Sequence, residues 1–256
     1  MPAGIITLSS DFGWPYPAAM RGVLAARCDA RLIDISHEFP RGDLRTAAFW
    51  LGEICPYFPP AVHPVVIDPG VGTDRDVLVV RAGDHIFVGP DNGVLTHPAA
   101  CISDCFDAFT LATYEAHSAT FHGRDVFAPL VADVLIHGID GVEALRPVDT
   151  IVELSLPEPD VSTGHARGEV LVVDEFGNVI TNIPGSFVTT RIGKAVLVDE
   201  QLIPVEASYA HVGAGAPLVT IGSHGNVELA VNGGRGDRAF GLETGDPVTL
   251  RVHDEA

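Results

Sequence analysis

The stretch SLPEPDVSTG, Ser155 to Gly164, divides the chain into two halves of unlike pattern. Before it, β-type runs alternate with runs of helical period. GIITLSSDF, RLIDISH, HPVVID and DAFTLAT read as strands, and VLVVRA with HIFVG as a pair of strands. YPAAMRGVLAARC and LRTAAFWLGEICPYF read as helices. RDVFAPLVADVLIHG places Val126, Phe127, Leu130, Val131, Val134 and Leu135 on one helical face. Such alternation predicts an α/β domain over residues 1–155, with a mostly parallel sheet covered by helices on its faces. After the divide the helical period is lost. GEVLVVDEF, NVITNI, FVTTRI, AVLVDE, PVEASY, PLVTIGS, NVELAVN and PVTLRV are short β-type runs separated by Gly, Pro and Asn. They predict a smaller all-β domain over 165–256, an antiparallel barrel or sandwich, joined through a linker at 156–164.

Composition narrows the function. The 256 residues are 46% hydrophobic, enough for sizeable cores, and carry a formal charge of −19 with a single lysine, Lys194. So acidic a chain is a poor partner for nucleic acid, whose phosphates demand a basic surface, and for anionic lipid. No run is long and apolar enough to span a membrane, and the first residues lack the pattern of a secretory signal. A cytoplasmic location is the expectation. Cys101 and Cys105 have a CxxxC spacing, but no second cysteine pair or suitably spaced His supports a metal site. Cys28, Cys55, Cys101 and Cys105 are expected to be buried, reduced thiols.

Several motifs concentrate polar groups where strands end. In TLSSDFG, Asp11 follows a strand, where open α/β sheets place their ligand crevice and an acid can accept ribose hydroxyls; the plainer reading is a helix N-cap. VIDPGVGTDRD sets Asp68 and Arg75 around a Gly-rich turn, and TFHGRDVFAP puts His122 just before a helix. A structural salt bridge and a structural His are the plainer readings. VGPDNGVLT reads as a structural turn. DEFGNVITNI is either a hairpin turn or an adenine site in which Phe176 packs and Asn178 bonds the base edge, with Asp174 beside them as a further substrate-binding candidate. GRGDRA fits a loose dinucleotide pattern, but too little chain follows it for a βαβ unit. Ser223 and His224 do not read as a catalytic pair, because adjacent side chains on a strand point to opposite faces.

Taken in order, ITLSSDFG, DISHEFPRGDLRTAAFWL, VVIDPGVGTDR, VGPDNGVLT, TFHGRDVFAP, DEFGNVITNI and VELAVNGG resemble the S-adenosyl-L-methionine (SAM) hydroxide adenosyltransferases, adenosine-forming SAM hydrolases related to the fluorinase and chlorinase. The resemblance implies an N-terminal α/β domain, a C-terminal β-barrel, and a homotrimer with sites between neighbouring subunits. It also implies residue roles. Asp68, Arg75 and His122 match the family's Asp–Arg–His triad, and Asp11 its ribose-binding Asp. Phe176 and Asn178 match adenine-site residues, and Tyr209 an aromatic packed on the adenine. Ser223 and His224 fall where backbone meets the methionine carboxylate, and Gly233 where backbone meets adenine.

The implied reaction is attack of water or hydroxide at C5′ of SAM, giving adenosine and L-methionine. The sulfonium is already a good leaving group, so no general acid is needed; no cofactor and no metal are expected. The task is to orient water and accept its proton, through Asp68 and His122 with the Arg75 charge nearby. Halogenating relatives carry a Tyr where this chain has Asp68, and the fluorinase a Ser where it has Gly123, so halogenation is the weaker alternative. A SAM- or adenosine-binding protein with little turnover is another. DFGWPYPAAMRG is shorter than the matching family segment and lacks its Asp near the amino-acid end of SAM. Trp14 and Tyr16 stand there instead, and weaker recognition of the methionine ammonium is expected.

Overall fold

The computed structural model describes residues 4–253. The chain divides into two compact units between Ser155 and Leu156.

In the first unit the strands are β1 (Gly4–Ser10), β2 (Ala30–Ser36), β3 (Val62–Val66), β4 (Val77–Ala82), β5 (His85–Pro90), β6 (Phe106–Leu111) and β7 (Leu145–Pro147). The helices are α1 (Tyr16–Arg27), α2 (Leu44–Ile54), α3 (Thr96–Ile102) and α4 (Ala128–His137). One seven-stranded sheet runs β2-β1-β3-β5-β4-β6-β7. Its β2-β1-β3-β5 part is parallel, whereas β5-β4, β4-β6 and β6-β7 pair antiparallel. The sheet is therefore mixed rather than mostly parallel. The reason is local: only Gly83 and Asp84 separate β4 from β5, and so short a link can join antiparallel strands only.

Both faces of the sheet are buried, which is why its central strands are largely apolar. On β4, Val77 and Val79 join the core containing Met20 and Leu24 of α1 and Leu130 and Val131 of α4. Leu78, Val80 and Ala82 join a second core with Ala47, Ala48 and Leu51 of α2 and Ala99 of α3. The two-residue strand period assigns alternate side chains to opposite layers. Each large aliphatic side chain buried this way contributes roughly 1.5–3 kcal/mol.

In the second unit the strands are β8 (Asp160–Ser162), β9 (His165–Val173), β10 (Val179–Pro184), β11 (Lys194–Val198), β12 (Gln201–Val205), β13 (Pro217–Ile221), β14 (Asn226–Val231) and β15 (Pro247–Val252), with a short helix α5 (Gly236–Phe240). The order β10-β14-β13-β12-β11-β15-β9 closes through a β9–β10 pairing into a seven-stranded barrel, and β8 extends β9. Its interior is filled by Val170, Val179, Val196, Val205, Val219, Leu229 and Leu250 among others. Three expectations change. The expected linker contains strand β8. FVTTRI forms two 3-10 turns rather than a strand. One pairing in the barrel, β12–β13, is parallel. Among the described residues no helix is long and apolar enough to cross a membrane.

Candidate active site

The loop after β3 is built to return on itself. The Asn92 side-chain amide donates to the Ile67 carbonyl at 2.8 Å, so the structural turn at Asn92 anchors the residue before Asp68. Thr73 donates to the Gly70 carbonyl through both its backbone N–H, at 3.1 Å, and its hydroxyl, at 2.6 Å. Gly72 has φ +80°, and a Cβ there would lie 2.8 Å from the Ala119 carbonyl, so no larger residue fits. The fold-back brings Arg75 onto Asp68. Arg75 Nε donates to Asp68 Oδ1 at 3.0 Å, and Nη2 donates to Asp68 Oδ2. Nη2 also reaches His122 Nδ1 at 3.0 Å. The Asp68 and Arg75 side chains are only 4% and 9% exposed. Phe127 packs its ring 5.2 Å from the Arg75 guanidinium carbon. Burial opposes the Arg75 charge, but the adjacent Asp68 outweighs it and holds the guanidinium firmly protonated.

This geometry fixes the state of His122. Arginine can only donate, so Nδ1 is an acceptor and the proton of the neutral ring sits on Nε2. Burial lowers the His122 pKa, and the Arg75 charge lowers it further against the opposing pull of Asp68 and Asp125. The ring is neutral near pH 7, and its outward nitrogen is a donor. His122 stands at the head of a π-helical turn, Gly123–Phe127, that runs into α4. Tyr114, which the motifs did not single out, meets the His122 ring edge-on at 5.6 Å and adds to the polar surroundings of Arg75.

Asp11 lies just beyond β1 and is not a helix cap: α1 starts at Tyr16 without a side-chain cap, and Asp11 Oδ2 accepts from the Gly42 N–H at 2.8 Å. Behind it runs a polar chain that sequence inspection missed. Ser10 Oγ meets His37 Nδ1 at 2.7 Å, His37 Nε2 meets Asp34 at 3.1 Å, and Arg21 binds both Asp34 oxygens. Ser10 and His37 are buried, so the chain supports the end of β1 and offers no accessible nucleophile. Trp14 sits edge-on to His37 at 5.4 Å. Tyr16, Phe12 and Phe121 form a trio of edge contacts, with centroids 5.7–6.3 Å apart.

In the second unit, Asp174 and Asn178 close the β9–β10 hairpin. Asp174 accepts from the Asn178 backbone N–H at 2.8 Å and from its side-chain amide at 3.0 Å. The Asn178 carbonyl oxygen is thereby set as the acceptor it presents. Gly177, at φ +86°, lies against Arg235, whose Cβ would be 2.8 Å from any added Cβ. Phe176 at the hairpin tip is 79% exposed. Tyr209 opens a 3-10 turn before β13, and its hydroxyl donates to Glu228 at 2.6 Å. Ser223 and His224 lie in the turn between β13 and β14, not on a strand, so the opposite-faces argument does not apply to them. Gly233, at φ +68°, is in the turn after β14.

The sequence matches the model of the SAM hydroxide adenosyltransferase N-terminal domain over residues 6–143 and that of the C-terminal domain over residues 168–249. The chain belongs to this family. Relatives named (R)-S-adenosyl-L-methionine hydrolase include one from Salinispora tropica, 38% identical over 98% of both chains. Another, from Thermus thermophilus, is 39% identical over 94% of this chain and 97% of its own. Among solved structures, an uncharacterized conserved protein of Thermotoga maritima aligns with TM-score 0.88 at 31% identity, covering 96% of this chain and all of its own. A conserved hypothetical protein of Thermus thermophilus aligns with TM-score 0.77 at 38% identity, over 96% of this chain and 99% of its own.

The structure joins Asp68, Arg75 and His122 directly and ties Asp174 to Asn178. It sets Asp11 on Gly42 rather than on the triad. The cysteines are free, but only Cys55 is buried; Cys28 is half-buried, and Cys101 and Cys105 are exposed. Both exposed thiols flank the end of α3, a helix that the sequence pattern did not announce. Glu228, a buried carboxylate, was also missed; within VELAVNGG it looks like a solvent-facing strand residue.

Proposed function

We propose that this protein hydrolyses SAM to adenosine and L-methionine by water attack at C5′. The observation that carries the reading is the Asp68–Arg75–His122 cluster, in which a buried guanidinium engages a carboxylate through two nitrogens and a neutral imidazole through one. Arg75 fills one side of Asp68, and the remaining carboxylate lone pairs are the acceptors in the cluster for a water proton. His122, with its proton on Nε2, donates to the water oxygen and orients it. The new C5′–O bond forms as the C5′–S bond breaks, the bond electrons neutralise the sulfonium, and the water proton passes to Asp68 and then to solvent. Holding water in line with that bond is itself worth several kcal/mol. A carboxylate at this position repels halide, which disfavours halogenation.

In the same reading Asp11 accepts the ribose hydroxyls and Phe176 and Tyr209 enclose the adenine. The Asn178 carbonyl receives the adenine amine, and the backbone at Gly233 approaches the base. Backbone groups of Ser223 and His224 hold the methionine carboxylate. The working assembly is a homotrimer whose sites take Asp68 from one subunit and Asn178 from a neighbour, and the free thiols suit a reducing cytoplasm. Incubation of the protein with SAM, followed by chromatography, tests the reaction. Adenosine and methionine in equal amounts are expected; unchanged SAM favours a binding protein and a halogenated nucleoside a halogenase. Mixing Asp68→Asn and Asn178→Ala subunits restores activity if the site is shared, and a fully active monomer excludes the trimer.

A further inference from the structure

Glu228 is only 4% exposed, although it points away from the barrel core. Val227 and Leu229, its neighbours on β14, fill the interior, so the strand period turns Glu228 to the outer face. Three groups cover it there. The Tyr209 hydroxyl donates to Oε1 at 2.6 Å. His224 Nε2 lies 3.4 Å from Oε2. Gly222 packs so closely that an added Cβ would lie 2.2 Å from His224 Nε2 and 2.8 Å from Glu228 Oε2.

The protons follow from the partners. The His224 Nδ1 accepts from the Asn226 N–H at 3.2 Å, so the neutral ring carries its proton on Nε2, facing Glu228. Burial, then Glu228 and Asp174, raise the Tyr209 pKa, so the phenol stays neutral and spends its proton on Glu228. Both nitrogens of His224 and the hydroxyl of Tyr209 thus face inward. What remains for a ligand is the ring of Tyr209 and the backbone of the Ser223–His224 turn.

We propose that Glu228 is a positioning residue that holds Tyr209 and the Ser223–His224 turn in their substrate-binding poses, coupling the nucleoside and amino-acid ends of the ligand through one buried carboxylate. This rests on the SAM reading above. A buried carboxylate that accepts from Tyr209 and faces the His224 Nε2 at 3.4 Å is poorly replaced even by its own amide. In Glu228→Gln the amide oxygen still accepts from Tyr209, but its NH2 group meets the His224 Nε2–H, donor against donor.

The test compares ligands at the two ends, by calorimetric titration with adenosine and with SAM in an Asp68→Asn background that suppresses turnover, and by KM and kcat in the otherwise native chain. Glu228→Gln is expected to weaken SAM binding and raise its KM roughly tenfold, with kcat and adenosine affinity changed by less than about twofold. Tyr209→Phe is expected to weaken adenosine and SAM alike, by about threefold. His224→Ala is expected to match the Glu228→Gln loss, and adding Glu228→Gln to it should cost nothing more. If Glu228→Gln lowers the melting temperature but binds both ligands normally, or if its loss adds in full to that of His224→Ala, the positioning role is overturned. Should Glu228→Gln not fold, His224→Ala still decides: native SAM affinity in that variant overturns the proposal. If the native chain itself binds neither ligand, the SAM reading has failed instead.

Discussion

The two units hold their candidate residues in different ways. In the first, Asp68, Arg75 and His122 are buried and locked by charge-assisted hydrogen bonds, with Asn92 and Gly72 fixing the loop beneath them. In the second, Phe176, Tyr209, Ser223, His224 and Gly233 all lie on turns between barrel strands; Phe176 is largely exposed and Tyr209 partly so. Reacting groups must be preorganised before substrate arrives, because reorganisation during the reaction adds to the barrier. Groups that bind the ligand equally in ground and transition states set affinity rather than rate. Changes in the first unit should therefore act on rate, and changes in the second on affinity.

Asp68→Asn should show that contrast most strongly. We expect kcat to fall on the order of a hundredfold or more, with SAM affinity changed by less than about threefold. Product assays beside calorimetry measure both, and equal losses in both would erase the distinction. A melting curve is needed alongside, because removing one partner of a buried ion pair costs roughly 3–5 kcal/mol of stability.

Acid should separate the units next. His63 on β3 is fully buried, bonded to Thr7 at 2.8 Å and to His85 at 2.9 Å. Burial, with His85 beside it, pushes its pKa down to about 3. In the unfolded chain it titrates near 6.5, so between these values the unfolded state binds more protons. The stabilisation is complete above about pH 6.5 and is lost as pH falls toward 3, by about 1.4 kcal/mol per pH unit. At pH 5 this amounts to about 2 kcal/mol. Hydrogen exchange should report lost protection in β1, β3 and β5 before the barrel strands; the reverse order would contradict the account.

Asn178→Ala should lower adenosine affinity by roughly tenfold and leave saturated turnover nearly unchanged. Its partner Asp174 then loses the amide donor, so Asp174→Ala should behave alike. A kcat loss equal to the affinity loss would place Asn178 with the reacting groups. The smallest effect concerns the short segment after Asp11. Tyr16 packs perpendicular to Phe12 and Phe121, and half of it remains exposed to face a cation. Tyr16→Ala should raise the KM for SAM by about threefold, the scale of an exposed cation–π contact, without touching adenosine affinity. A SAM analogue lacking the ammonium should be insensitive to the change.

The linear order of residues settles what short-range pattern can carry. Helical period located α1, α2 and α4, alternation and Gly/Pro punctuation located most strands, and the loss of helical period after residue 155 separated an α/β unit from a β unit. The seven motifs were specific enough to name the family. Pairing was legible only between chain neighbours, as for β4 with β5 and the β9–β10 hairpin; the β4–β6 and β6–β7 pairings and the parallel β12–β13 contact join segments whose local preference is the same either way. Helix α3 was hidden because Pro98 stands inside a seven-residue run too short to display a period. FVTTRI has the β-branched content of a strand but finds no partner strand and turns twice instead. The chemistry of the site was likewise decided in three dimensions. The residue types Asp68, Arg75 and His122 could be read from the chain. That Arg75 occupies His122 Nδ1 across 47 residues, and so makes the ring a donor, could not. Glu228 is the same case, since burial and proton placement depend on which neighbours the fold brings within hydrogen-bonding reach, and no local spacing encodes that distance.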